Sequence, residues 1–293
     1  MSRTIICSNN NGSSMTFDTE GFKPFVLASV DGLYQSENNI FVSDNTMTDG
    51  AEYQGSVAKK RPVTLTLMDS PDNVYNQDNR DALYILFSKN SDGTLTYEEN
   101  GKKRVVNYHV EKVYKGKLNS RLVIVSLLCT DPMFYDAEPT IVELANWVGD
   151  FEFIHEFTAN REEFGHRSQS RIVTISNDNA VMDLGMTIII EAMSDVTNPK
   201  IVKIDTQEKI QIGSDLYPFN MVVGDSVIIT TSVNDKHVYL LRNGVKTEIN
   251  EYLTEDSKFL QITRGNNSFG YEAESGVENI IITIEYKKKY EGA

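Results

Sequence analysis

Period-two alternation of apolar and polar residues recurs along the whole chain, and this pattern restricts the fold more than any other feature. Residues 63–67 and 105–113 alternate strictly, which is typical of strands that bury one face. Residues 122–127 form a continuous run rich in β-branched side chains, typical of a strand buried on both faces. In the second half, strand patterns recur at residues 171–175, 187–190, 226–231 and 279–286. The sequence therefore predicts a mainly β protein.

Short turn signals separate these runs. Asn-Gly at 243–244 joins two strand patterns, and a second Asn-Gly lies at 100–101. Asn-Gly is typical of two-residue hairpin turns, because a type I′ turn needs positive φ at both central residues. Asp-Gly at 92–93 indicates a third turn. Residues 140–145 fit either a strand or a helical turn, and we favour the strand.

One helix is predicted. Asn76 or Asp78 can cap its beginning, and it ends near Ser88. One face of this helix is apolar and would carry Ala82, Leu83, Leu86 and Phe87.

A domain boundary is predicted near Asp131 and Pro132. A strand pattern ends there, and Pro132 cannot continue the ladder of a central strand. The chain length of 293 residues suggests two domains. We predict a mainly β domain with one helix over residues 1–135. An all-β domain would follow over residues 136–293, where seven or eight short strand patterns are typical of a sandwich.

The net charge of −14, from 42 acidic and 28 basic side chains, restricts the partners of the chain. Nucleic-acid binding needs concentrated positive charge, so we expect no sequence-specific nucleic-acid partner. Binding to an anionic membrane surface is disfavoured for the same reason. The longest apolar run is far shorter than a membrane helix, and the first residues do not form a signal peptide. Cys7 and Cys129 lie in strand patterns and fit buried, reduced thiols, although a single disulfide remains open.

No catalytic or metal-binding constellation emerges from the sequence. His155-Glu156 lacks the second histidine of a metalloprotease motif, and the four histidines are scattered. Gly224-Asp225-Ser226 resembles an esterase nucleophile segment, but a strand pattern follows it where a helix is required. Paired carboxylates at 98–99 and 162–163 are ordinary solvated residues, and residues 69–81 lack the central glycine of a calcium loop. We expect no enzyme activity, no cofactor and no metal.

Sugar binding is the alternative function to be weighed, since β-sandwiches often bind glycans. Such sites use an aromatic platform, and the single tryptophan, Trp147, lies near the domain boundary rather than on a predicted sandwich strand. The 14 tyrosines leave stacking open, but strand tyrosines are usually core residues.

The order of several motifs resembles the distal tail proteins of long-tailed bacteriophages, a family found mainly in phages of Gram-positive hosts. The resemblance covers nearly the whole chain and begins at residues 22–27 and 31–33. A glycine-bearing turn followed by an arginine and an alternating strand comes next, and Cys129 opens the segment that closes the first domain. The motif positions are Asp49, Gly50, Tyr53, Gly55, Arg61, Asp131, Pro132, Asn198, Pro199, Gly224, Asp225, Gly265 and Asn266.

This resemblance implies a structural role at the tip of a phage tail. The N-terminal domain would be β-sandwich-like or split-barrel-like and would form a homohexameric ring, and a galectin-like β-sandwich would follow. The ring would join the tail tube protein to the baseplate hub or tail-associated lysin, with tape-measure and receptor-binding proteins as further partners. The protein would be made in the bacterial cytoplasm and built into the virion of a phage, a prophage or a tail-like bacteriocin.

Residues 36–60 fit no core pattern, because they are polar and rich in turn residues. Such a segment in a compact domain is a functional loop or an extended arm. We hypothesise that it is an arm that reaches a neighbouring subunit of the ring and adds to its sheet.

Overall fold

A computed structural model describes residues 3–19, 24–44, 49–69, 77–115, 121–145, 147–149, 165–167, 172–178, 182–233 and 235–293. Strands dominate, and one α-helix lies within this part of the chain. The predicted mainly β fold class is therefore confirmed. No helix among the described residues has the length and apolar character needed to cross a membrane.

The chain divides into two compact units, one formed by residues 1–137 with 289–293 and the other by residues 138–288. The first unit contains β1 (Arg3–Asn9), β2 (Ser14–Asp18), β3 (Phe25–Asp31), β4 (Asn38–Asp44), β5 (Ala51–Ala58), β6 (Arg61–Asp69), α1 (Gln77–Leu86), β7 (Asp92–Glu99), β8 (Lys102–Lys115), β9 (Leu122–Cys129), β10 (Phe134–Asp136) and β25 (Lys289–Tyr290). The second contains β11 (Thr140–Ala145), β12 (Trp147–Gly149), β13 (Gly165–Arg167), β14 (Ile172–Asn177), β15 (Met186–Ala192), β16 (Val196–Thr197), β17 (Lys200–Lys203), β18 (Glu208–Gln211), β19 (Asn220–Met221), β20 (Ser226–Ser232), β21 (Asp235–Arg242), β22 (Val245–Glu248), β23 (Gly265–Glu272), β24 (Ile280–Tyr286) and 3-10 turns at Asn250–Tyr252 and Val277–Asn279.

The last residues of the chain, which the sequence assigns to the second domain, lie in the first unit instead. β25 pairs with β10 through Phe134 opposite Tyr290 and Tyr135 opposite Lys289. The chain therefore leaves the first unit after β10 and returns to it at β25, which pairs with β10. The division of roles between domains 1–135 and 136–293 stays a prediction.

A closed barrel forms the first unit. Its strands follow the order β8-β7-β1-β2-β3-β6-β9, and β9 pairs back to β8. Strand β6 has one face in the core of the barrel. Val63, Leu65 and Leu67 are fully buried, and the residues between them are partly exposed. This is the period-two pattern predicted for residues 63–67.

Helix α1 covers part of the barrel through Leu83 and Leu86, with Phe87 buried directly after it. The predicted helix is confirmed, although Ala82 lies on its exposed side rather than on the packed face. Of the two proposed caps, Asn76 lies outside the described residues and Asp78 is the second residue of the helix.

The predicted Asp92-Gly93 turn is wrong, because both residues lie inside β7. Gly93 pairs with Asn9 on one side and Tyr108 on the other. A Cβ at this position would lie 2.2 Å from the carbonyl oxygen of Ser8 and 2.5 Å from the ring of Tyr108. Close approach of its neighbours, rather than a turn, explains the glycine.

A β-sandwich forms the second unit. One sheet has six strands in the order β11-β24-β15-β20-β21-β22, and the other has four in the order β14-β23-β17-β18. Their buried side chains share one core that includes Ile188, Ile229, Ile284, Ile201 and Phe269. The strand predicted at residues 140–145 is confirmed as β11.

The two predicted Asn-Gly turns are confirmed as hairpin turns. Asn243 and Gly244 have φ values of 52° and 77°, and Asn100 and Gly101 have 54° and 76°. Positive φ at both central positions is the type I′ geometry that Asn-Gly favours.

Candidate functional site

An exposed β-hairpin is the most unusual surface of the first unit. Strands β4 and β5 pair with each other in a separate two-stranded sheet. Large apolar side chains cover it: Ile40 is 65% exposed and Tyr53 is 63% exposed, and Phe41, Val42 and Val57 are exposed as well. An isolated two-stranded hairpin is marginally stable in water, so this surface is suited to burial against another chain.

The strand register places the apolar side chains on both faces of the hairpin. Val42 lies opposite Tyr53, next to Ile40, which lies opposite Ser56. Phe41 lies on the other face, opposite Gly55. We call Ile40, Val42 and Tyr53 the apolar face of the hairpin.

Three of the motif positions shape this hairpin. Gly55 has φ +140°, and the register shifts beside it, so that one extra residue of β5 forms a bulge. Tyr53 donates a hydrogen bond from its hydroxyl to Ser56 Oγ at 2.9 Å. Gly50 has φ +98° and precedes β5 directly. Asp49 and Gly50 are exposed.

Arg61, directly after the hairpin, is buried to 1% exposure in the first unit. Its Nε donates to the Pro132 carbonyl at 2.6 Å, and Nη1 donates to the Gly32 carbonyl at 2.6 Å. Further bonds run from Nη1 to the Tyr34 carbonyl and from Nη2 to the Glu291 carbonyl. Burial lowers the pKa of the guanidinium, whose charge these four carbonyl oxygens solvate. Two motif positions, Arg61 and Pro132, thus meet.

Arg61 helps to fix the last residues of the chain to the barrel. Arg104 donates to the Gly292 carbonyl, and the Ala293 N–H donates to the Leu33 carbonyl at 2.8 Å. The Arg104 guanidinium also lies 3.9 Å from the centre of the Tyr290 ring. These contacts explain why residues 289–293 lie in the first unit.

Asp131 stabilises the turn before β10. Its Oδ1 accepts a hydrogen bond from the Met133 N–H at 3.1 Å, and its Oδ2 accepts one from the Tyr135 hydroxyl. This turn presents the Pro132 carbonyl to Arg61. Burial, with the neighbouring carboxylate, raises the pKa of Tyr135.

Asn198 supports a loop of the second unit, residues 213–219. Asn198 is 3% exposed, has φ 49°, and accepts the Phe219 N–H on Oδ1 at 2.8 Å. Its Nδ2 donates to Glu274 Oε2 at 2.5 Å. The neighbouring Pro199 carbonyl accepts the Ile212 N–H at 3.0 Å.

Asp225 supports the next loop, residues 222–225. It is 2% exposed, and its two carboxylate oxygens accept hydrogen bonds from Arg242 at 2.8 and 2.5 Å. The Val222 N–H also donates to Asp225 Oδ2 at 2.8 Å. Gly224 has φ +86°, and its N–H donates to the Ala192 carbonyl at 2.9 Å. The bidentate ion pair closes this turn.

Asp225→Asn should weaken the second unit and reduce its acid sensitivity. The Arg242 hydrogen bonds hold the pKa of Asp225 below its usual range, so the charged pair stabilises the fold above about pH 4 and is lost as the pH falls below that value. We expect the substitution to lower the free energy of unfolding by about 1–3 kcal/mol at pH 7. Urea unfolding at pH 7 and at pH 3 measures this; an equal loss at both pH values would contradict the role of the ion pair.

The turn before β23 depends on a neighbour of the motif positions. Gly265 has φ +91°, and Asn266 is exposed. Asn267, fully buried, accepts the Thr263 N–H at 2.8 Å and donates to the Thr263 and Gly265 carbonyls at 2.7 and 3.0 Å. The Gly-Asn-Asn sequence marks the turn but does not indicate which asparagine makes its bonds.

One array of side chains has the order of a catalytic triad. His109 Nδ1 lies 2.5 Å from Asp92 Oδ1, and His109 Nε2 lies 3.5 Å from Thr130 Oγ1. The histidine and the aspartate are about half exposed, so water competes for each contact. In the described part of the chain, no group of three or more His, Cys, Asp or Glu is arranged to hold a metal.

The remaining residues considered for chemistry form no site among the described residues. His155, Glu156, Glu162 and Glu163 lie outside the described residues. Cys7 and Cys129 are free, buried thiols, and burial raises the pKa of Cys129 to about 12, which makes it unreactive at neutral pH.

One strand tyrosine of the sandwich, Tyr239, contacts its neighbours through its ring. The ring of Tyr239 stacks on His237 at 5.5 Å between centroids, and Lys246 Nζ lies 3.8 Å from its centre. These contacts cover part of the Tyr239 ring. The side chain of Trp147 lies outside the described residues. Sugar binding stays a prediction.

Most of the motif residues fix backbone turns and buried contacts, and two groups of exposed apolar residues lie on the hairpin and on loops of the second unit. This arrangement suits contacts with other proteins better than chemistry on a small molecule.

Comparison with known proteins bears on the predicted resemblance. Residues 179–290 match the model of the siphovirus-type tail component, C-terminal domain. The predicted resemblance to phage distal tail proteins is thereby confirmed for this part of the chain. No curated protein sequence matches the chain.

Solved structures show the same fold over the whole length. The crystal structure of SPP1 Dit (gp 19.1), described as a paradigm of the hub adsorption apparatus in phages infecting Gram-positive bacteria, is 14% identical with a TM-score of 0.64; 98% of this chain and 99% of that chain are covered. A chain of the phage P2 baseplate, in its activated conformation with Ca, is 14% identical with a TM-score of 0.55 over 100% of both chains.

Proposed function

We propose that this chain forms a hexameric ring at the tail tip that joins the tail tube to the baseplate hub. The observation that carries the proposal is the match of residues 179–290 to a siphovirus-type tail component. The shared fold with SPP1 Dit along the whole chain supports it. The first unit is the ring-forming part, and the second unit is a galectin-like sandwich that faces other baseplate proteins. The role is structural and involves no catalysis.

In the proposed ring, the β4–β5 hairpin is the arm that reaches the neighbouring subunit. A closed ring repeats one heterologous interface, so each chain must offer a protruding surface and a complementary one. The hairpin is exposed on both faces, and no other described strand pairs with its edges, so it can extend a neighbour's sheet by strand addition. Burying its apolar side chains would supply the energy that an isolated hairpin lacks.

Gold labelling of assembled tail particles tests the proposed location. A hexahistidine insertion between Asn243 and Gly244 suits this experiment, because a Cβ at Gly244 would meet no atom within 4 Å and the turn is exposed. We expect nickel-gold at the end of the tail distal to the head, with untagged particles as the control. Gold along the tube, or tagged chain absent from the particles, would contradict the proposal.

A further inference from the structure

Two adjacent loops of the second unit expose apolar side chains to water. Leu216 is 84% exposed and Tyr217 is 77% exposed in the loop of residues 213–219. Val223 is 71% exposed and Val222 is half-exposed in the loop of residues 222–225. Only the two residues of β19 separate the loops, so Tyr217 and Val222 lie within about 17 Å of each other. We call Leu216, Tyr217, Val222 and Val223 the loop surface.

The loop surface is rigid, because buried polar residues form hydrogen bonds to the backbone of both loops. Asn198 bonds the Phe219 backbone through its side chain and its N–H, at 2.8 and 3.0 Å. Ser214 and Tyr217 exchange two backbone hydrogen bonds, at 3.0 and 3.1 Å. A Cβ at Gly213 would lie 2.0 Å from Asn198 Oδ1, so only glycine fits there. Asp225 and Arg242 lock the second loop, as described above.

An exposed apolar surface on rigid loops favours the binding of a partner. Exposing four apolar side chains costs free energy unless a partner covers them. Because the loops are already fixed, binding loses little conformational entropy. Asn198 and Asp225 thus contribute to binding as well as to stability, because they hold the residues of the loop surface in position.

Acidic side chains border the loop surface. Asp215 lies within the first loop and is exposed. Exposed Glu251 adjoins Tyr252, whose carbonyl accepts the Gly213 N–H at 2.8 Å and whose ring lies 5.1 Å from that of Phe219. Exposed Glu274 bonds Asn198. Two basic side chains next to the loops are both paired: Arg242 with Asp225, and Lys209, which bonds Gln211 beside Gly213, with Asp256. The rim is therefore negative.

We propose that the loop surface is the docking site for a different tail protein, one that offers an apolar pocket rimmed by lysine or arginine. The negative rim selects such a partner by charge complementarity. A second copy of this chain would set the same acidic rims against each other, and an anionic membrane would repel them. This inference rests on the proposed function, since it names a partner class for the sandwich within the tail.

Site-specific photocrosslinking in assembled particles tests the docking site. The benzophenone amino acid p-benzoylphenylalanine replaces Tyr217, and in a matched control it replaces Val233, an exposed valine that follows β20 at the end opposite the second loop. A third position, Tyr53 on the hairpin, reports ring contacts in the same particles. Irradiated particles are analysed by mass spectrometry to identify each crosslinked peptide.

We expect position 217 to crosslink one other polypeptide, with lysine or arginine flanking the crosslinked site, and position 233 to give no product. Asp215→Lys should lower the yield at position 217 about tenfold, because it sets like charges across the contact. A crosslink from position 217 to a second copy or to lipid would overturn the inference. The inference would also be overturned if position 217 gave no crosslink while position 53 crosslinked neighbouring copies. That result would leave the proposed function intact. Absence of the chain from the particles would overturn both.

Discussion

We expect Arg61→Ala to lower the free energy of unfolding of the first unit by about 3–5 kcal/mol, the largest loss for a single substitution in that unit. The guanidinium is 1% exposed and bonds four backbone carbonyls, two of them at 2.6 Å. Its removal leaves these carbonyls without their donor inside the fold, at the point where the Pro132 turn, the Gly32 segment and the last residues of the chain meet. Differential scanning calorimetry should show one of two transitions falling by about 10 °C.

Two variants separate this effect from a general loss of charge. Arg61→Lys keeps the charge, but a single ammonium cannot reach carbonyls in a planar fork, so we expect most of the loss to persist. Arg3→Ala removes an arginine whose side chain is half exposed and bonds Glu99 at 3.1 Å, so its effect on the free energy of unfolding should be much smaller, as is typical of a surface ion pair. Equal effects of Arg61→Ala and Arg3→Ala would contradict the role of Arg61.

The second large effect concerns assembly. Replacing Ile40, Val42 and Tyr53 together by serine should raise the concentration needed for ring formation about 100-fold or more. Each large apolar side chain contributes about 1–2 kcal/mol when it becomes buried in an interface, and the three lie on one face of the hairpin. Because all three are exposed in the single chain, its melting temperature should change little. Mass photometry over a dilution series measures the shift.

A matched variant in the second unit controls for general loss of surface hydrophobicity. Ile172, Val233 and Val245 are exposed aliphatic residues of the second unit, and their joint replacement by serine should leave assembly unchanged. If this control weakens assembly as much as the hairpin variant does, the hairpin is not the intersubunit arm.

Local pattern sufficed to predict those elements that bury one face. Strand β6 alternates because its odd-numbered residues 63–67 point into the barrel, and the Asn-Gly turns adopt the positive φ values that asparagine and glycine favour. The hairpin of β4 and β5 could not be predicted in this way. Both of its faces are exposed, so its sequence has no period-two alternation of apolar and polar residues. The sequence showed only that residues 36–60 lack a core pattern.

Features that depend on distant residues could not be predicted. Arg61 is marked by a motif, yet its partners lie near residues 32, 132 and 291, which only the folded barrel brings together. Gly93 follows Asp92 and therefore resembles a turn residue in the sequence. In the fold, a glycine is required at this position because Ser8 and Tyr108 approach it closely. The loop surface also escaped prediction, because exposed Leu216 and Tyr217 look like core residues in a sequence.

The mass of the full chain in solution tests the central claim, ring formation, most directly. Mass photometry and sedimentation velocity between about 0.1 and 100 µM cover the range in which interfaces of ordinary affinity assemble. We expect a species of six times the 33.0 kDa chain mass, seen as a closed ring in electron micrographs, whose fraction grows with concentration. A monomer across the whole range, or a closed assembly with another number of subunits, would contradict it.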